Sequence, residues 1–84
     1  MPVLSYFYGI TIKMYFQESE HNPPHIHAFY GSYAGVIDIN TGKIIDGNLP
    51  ARALHLVKEW TNSNKKTLLD MWNNQQFKKI PPLN

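Results

Sequence analysis

The chain has 84 residues, with eight Lys or Arg against six Asp or Glu for a formal charge of +2. That length suits one small domain, residues 1–84, burying roughly 60–65% of the surface its unfolded chain exposes. The absence of cysteine excludes a disulfide framework and a thiolate zinc site, and suits a reducing compartment. No run approaches the roughly 18 apolar residues of a membrane span. The start, Met1-Pro2-Val3-Leu4, lacks the basic region and long apolar run of a signal peptide. The expectation is a cytoplasmic protein with no membrane partner.

Ile10, Ile12, Met14 and Phe16 alternate with Thr11, Lys13, Tyr15 and Gln17, a period of two that predicts a half-buried strand. The polar stretch from Gln17 to Pro24 ends in Pro-Pro and reads as a loop. His25 to Tyr30 forms a second strand, with His25, His27 and Phe29 on one face and Ile26, Ala28 and Tyr30 on the other. Gly31-Ser32 makes a tight hairpin turn. A third strand follows from Tyr33 to Asn40, then a turn at Thr41-Gly42-Lys43 and a short edge strand over Lys43 to Asp46. Gly47-Asn48-Leu49-Pro50 breaks the pattern.

After Pro50 the period becomes helical. Ala53, Leu54, Leu56, Val57 and Trp60 share one side, and Arg52, His55, Lys58 and Glu59 the other. Pro50 suits the first helical turn, where its missing N–H costs nothing. Asn62-Ser63-Asn64 reads as the end of one helix and the capped start of another. Leu68, Leu69 and Trp72 stripe the second helix, and Ile80-Pro81-Pro82 leaves an extended tail. The boundaries are strands over about 8–46, helices over about 51–77 and a tail over 78–84. Strands first and helices afterwards predict an α+β fold: an antiparallel sheet of three to four strands with two helices packed on one face.

Three of the four histidines fall in His21-Asn22-Pro23-Pro24-His25-Ile26-His27. Imidazole can change charge near neutral pH and is the commonest metal ligand. On a strand, His25 and His27 project from one face with Cα atoms about 6.5–7 Å apart. His21 joins them if the Pro-Pro segment folds it back. Three histidines with an open position make one catalytic zinc arrangement, which Glu18, Glu20 or Asp38 would complete or orient. A metal is not the favoured reading, and no cofactor is expected. The same three residues serve equally as a metal-free acid–base set, or as polar side chains with backbone partners. Pro24-His25-Ile26-His27 also resembles the opening of cupin metal sites. This chain is too short for that double-sheet barrel, and its one later histidine, His55, lies on a predicted helix.

A wider resemblance runs along the chain. It is carried by Ser5-Tyr6-Phe7-Tyr8-Gly9-Ile10, Met14-Tyr15-Phe16, the His21-to-Ala28 run, Tyr30-Gly31 and Val36-Ile37-Asp38-Ile39. Leu49-Pro50-Ala51-Arg52-Ala53-Leu54, Glu59-Trp60 and Leu68-Leu69-Asp70-Met71-Trp72 extend it. Together these resemble the small bacterial family catalogued as domain of unknown function 4160. The chain departs from the family's pattern at Tyr6, where a basic residue is common, and at Ser32 and Ala34, where acidic residues are common. The resemblance implies no reaction. It does imply a genetic setting, a toxin–antitoxin-like pair, and hence a cognate small protein from a neighbouring gene as partner.

Arg52, the sole arginine, falls in the first turn of the first helix, where free N–H groups favour anions. It suits a phosphate or carboxylate clamp, or a pairing with Asp38 or Asp46. Aromatics crowd the strand half (Tyr6, Phe7, Tyr8, Tyr15, Phe29, Tyr30 and Tyr33). Beside Lys13, a second candidate anion-binding residue, they can stack bases as single-strand RNA binders do, or build a core or a homodimer surface. Five of the eight cationic residues (Lys58, Lys65, Lys66, Lys78 and Lys79) lie after residue 57, which reads first as a solvated face. The leading expectation is a partner in a toxin–antitoxin-like pair that acts on or binds RNA. As an enzyme it would be a metal-independent ribonuclease using His21, His25 and His27, with Arg52 or a lysine on the phosphate. The alternatives are a non-catalytic module for a partner protein or nucleotide-like anion, and a His-ligated metal-dependent hydrolase.

Overall fold

The computed structural model describes residues 3–15 and 23–83. Five strands form one sheet in the order of the chain: β1 (Val3–Phe7), β2 (Ile10–Lys13), β3 (His25–Tyr30), β4 (Tyr33–Asp38) and β5 (Ile44–Asn48). Each neighbouring pair is antiparallel. Two helices follow, α1 (Ala51–Ser63) and α2 (Lys65–Asn74). The α+β class and the antiparallel sheet are as the periodicity predicts; the sheet has five strands instead of three to four.

The added strand is β1. It turns into β2 through Tyr8-Gly9, whose φ values of 49° and 79° are both left-handed, as a two-residue type I′ hairpin turn requires. A tyrosine in the first of these positions disguises the turn, because Asn or Asp is the usual signal there. The β5 strand also runs past its expected end. Gly47 does not break it but sits inside it at φ 76°. A Cβ there would collide with the Ala34 carbonyl oxygen on β4.

The sheet's two faces follow from register. Phe7 pairs with Ile10, Ile12 with Ala28, and Ile26 with Ile37, so these residues share one face. All of them are buried. Trp60 of α1 lies 5.7 Å from the Phe7 ring, which puts α1 on that face with Ala53 and Val57 also buried. On the opposite face Thr11, Lys13, Tyr15, His27, Phe29 and Val36 are half-buried, and Tyr6 and Ala34 exposed.

The helix ends differ from expectation in instructive ways. Pro50 is the N-cap of α1 and not its first residue, with φ −58° and ψ 149°; its carbonyl accepts the first helical bond from Leu54 N–H. Asn64 does not cap α2 with its side chain. Its amide donates instead to Trp60 O at 2.9 Å, closing the end of α1. Helix α2 stops at Asn74, short of the expected 77, because Gln75 turns left-handed at φ 57° while its N–H bonds Met71 O. The chain then returns to the sheet. Ile80 N–H donates to Leu4 O at 2.7 Å, and the Trp60 indole N–H donates to Pro81 O at 3.0 Å. The tail thereby occupies part of the β1 edge, which would otherwise offer open backbone groups to another strand. No described helix is long and apolar enough to cross a membrane.

Candidate functional site

Strand alternation brings His25, His27 and Phe29 onto the face opposite α1. Rings run along β3: His25 to His27 at 5.3 Å between centroids, and His27 to Phe29 at 6.4 Å in a near-parallel stack of 13°. Tyr15, just past β2, meets His27 edge-on at 4.4 Å. Lys13 is the cross-strand partner of His27, and its ammonium stands 5.2 Å from the Phe29 ring centroid, within cation–π range. The result is a row of rings, buried at His25 and half-buried at His27, Phe29 and Tyr15, with a lysine at its side.

The two histidines have different environments. His25, at the first position of β3, is 7% exposed. Its Nδ1 lies 2.7 Å from Pro23 O, and since a carbonyl oxygen only accepts, Nδ1–H is the donor. The ring packs 5.0 Å from Trp72 of α2. The Pro23 carbonyl thus fixes the imidazole. His27 is half-buried among the rings of Tyr15, His25 and Phe29. His25 is a buried anchor; His27 is the half-buried imidazole of the row.

The other sequence-predicted residues scatter. His21, Glu18 and Glu20 lie outside the described residues. Among the described residues, no group of three or more His, Cys, Asp or Glu is placed to hold a metal. Asp38 is opposite His25 in register, but its Oδ1 accepts the N–H groups of Asn40 at 2.7 Å and Thr41 at 3.3 Å, so this carboxylate holds the β4–β5 turn. Asp46 likewise accepts Gly47 N–H at 2.8 Å. His55 is exposed on α1.

Arg52 is not with the histidines. It lines a cavity of about 410 Å³ together with Tyr8, Ile10, Tyr30, Pro50, Ala53 and Leu56. Tyr30 closes the far end of β3 from His25 and, by alternation, lies on the other face. Five strand steps separate the two, about 17 Å. Among the described residues, the cation beside the histidine row is Lys13, not Arg52. Sequence reasoning missed Trp72 as the partner of His25 and missed Tyr8 and Tyr30 as cavity walls. Only the Tyr8-Gly9 hairpin carries a local signal for the latter pair.

Residues 9–73 match the family described as a domain of unknown function, DUF4160. The chain belongs to that family. The match spans β2 through most of α2, so the histidine row, Arg52 and Trp72 all lie inside the DUF4160 region, while β1 and the returning tail lie outside it. No curated protein and no solved structure matches the chain.

Proposed function

We propose that this DUF4160 chain is a cytoplasmic RNA-binding protein, one member of a toxin–antitoxin-like pair, with the sheet face opposite α1 as its RNA surface. The observation that carries the reading is the row His25–His27–Phe29 with Tyr15 and Lys13 beside it. Unpaired bases stack on aromatic faces for about 1–3 kcal/mol each, largely without sequence preference. A lysine beside the stack supplies the charge that tracks the phosphate backbone. A sheet presenting in-line aromatics is one of the recurrent platforms for single-stranded RNA. The setting implied by the family adds the neighbouring gene's small product as the protein partner.

Binding is favoured over cleavage because His25 is nearly enclosed and its Nδ1 is engaged by Pro23. Cleavage is the second reading, and the 5.3 Å His25–His27 separation favours it. In that reading one imidazole takes the 2′-hydroxyl proton, the other protonates the leaving oxygen, and Lys13 steadies the phosphate.

Fluorescence anisotropy with a short single-stranded RNA tests the proposal. Phe29→Ala should weaken binding about tenfold or more, and Lys13→Gln should weaken it and reduce the salt slope by about one. Undiminished affinity in both variants would remove the sheet face as the RNA surface. The same samples, run on a denaturing gel, separate binding from cleavage: product that forms with wild type and vanishes with His27→Ala selects the second reading.

A further inference from the structure

The cavity at the start of α1 takes no part in the RNA reading. Its floor is apolar, made by Ile10, Ala53 and Leu56. Two tyrosines, Tyr8 and Tyr30, wall it, and among the described residues Arg52 is its single charged lining residue. The volume of about 410 Å³ falls inside the roughly 300–1,000 Å³ typical of small-molecule sites. The walls are set by backbone. The Tyr8-Gly9 turn fixes Tyr8 at the mouth, and Gly9 packs so close to Tyr30 that an added Cβ would stand 3.4 Å from the ring.

Each part selects a piece of the ligand. Tyr8 and Tyr30 are 59% and 37% exposed, and a flat ring laid against them removes apolar area from water. Among the described residues, no acidic side chain joins Arg52 in the lining, so its guanidinium fork is matched by a carboxylate accepted in bidentate fashion. The positive end of α1, whose first turn contains no acidic residue, adds to the same field. A nucleotide fits less well. Its base edge and ribose hydroxyls need several hydrogen-bond partners, and beyond Arg52 the lining side chains offer only two phenols.

We infer that this cavity binds a small aromatic carboxylate, its ring against Tyr8 and Tyr30 and its carboxylate on Arg52. The inference is independent of the RNA reading, since the cavity is on the other face of the sheet.

Titrating the full-length protein with phenylacetate, followed by amide NMR shifts, tests it. The neutral isostere phenylacetamide and adenosine 5′-phosphate serve as comparison probes. The amides of Tyr8, Gly9, Tyr30, Arg52 and Ala53 should shift saturably with phenylacetate. Phenylacetamide should bind about tenfold more weakly, the worth of one charge-assisted hydrogen bond. Arg52→Gln, at an exposed position, should weaken phenylacetate by about the same factor and leave phenylacetamide unchanged. Absence of saturable shifts, equal binding of the acid and the amide, or tighter binding of adenosine 5′-phosphate at these amides would each overturn the assignment. So would shifts centred on His27 in place of the cavity.

Discussion

Truncating His25 to alanine should destabilise the protein far more than truncating His27, although the two stand two residues apart on one strand. His25 is 7% exposed, packs 5.0 Å from Trp72 and donates a 2.7 Å bond to Pro23 O. Losing that bond costs about 1 kcal/mol. Emptying a buried ring adds about 1–2 kcal/mol, below the usual range for apolar core truncations because imidazole is polar. The sum is about 2–3 kcal/mol. At half-buried His27 water can fill the gap, and about 1 kcal/mol or less is expected. A chain of this size holds about 4–12 kcal/mol in total, so both variants should fold. Urea denaturation reports the difference through buried Trp60 and Trp72. With a slope of about 1 kcal/mol per molar urea, the midpoint should fall by about 2–3 M for His25→Ala and by about 1 M or less for His27→Ala. Equal midpoints, or the reverse order, would refute the division into buried anchor and half-buried member of the row.

Three further outcomes follow from local geometry. Gly47→Ala should cost more than about 2 kcal/mol, because φ 76° and the Ala34 carbonyl both oppose a side chain; Gly42→Ala, with φ 74° but nothing near its Cβ position, should cost about 1 kcal/mol, and thermal melts of the two will rank them. Thr61 is fully buried and its hydroxyl oxygen has no hydrogen-bond partner among the described residues, so Thr61→Val should be neutral or stabilising by up to about 1 kcal/mol; a clear drop in urea midpoint would mean that the hydroxyl is engaged. Tyr8→Asn should raise the melting temperature, since Asn-Gly is the favoured pair for this turn and relieves about 0.5–1 kcal/mol of left-handed strain, while weakening phenylacetate; a less stable Tyr8→Asn protein would show that the tyrosine ring holds the turn.

Much of the fold was legible because burial imposes a period. Ile10 to Met14 and His25 to Tyr30 alternate cleanly, and each sets a strand and its faces. The Ala53–Val57–Trp60 spacing likewise set α1. What was illegible depends on long-range or strained contacts. Strand β1 follows a hairpin whose first turn residue is a tyrosine, and Gly47 looks like a breaker unless the Ala34 carbonyl across the ladder is known. Asn64 carries the composition of an N-cap but bonds backward to Trp60 O. The candidate site divides along the same line. Periodicity placed His25 and His27 on one face, but the β2–β3 register that sets Lys13 opposite His27 was not legible in it. It could not separate Arg52 from that face, because nothing in a helix start says which end of the sheet it will cover.

The same contacts change what the histidine run means. Read as composition, three imidazoles in seven residues suggest equal members of one reactive set. In the fold, the Pro23 carbonyl and the Trp72 ring claim His25, and this clamp fixes where β3 begins. Register then follows: with His25 held opposite Asp38, His27 must fall opposite Val36 on one side and Lys13 on the other. A one-residue slip would send His27 and Phe29 to the α1 side and Ile26 and Ala28 to the opposite face. The buried histidine therefore acts on the surface at a distance of two residues. Its contribution is to set His27, Phe29 and Lys13 side by side on one face of the sheet.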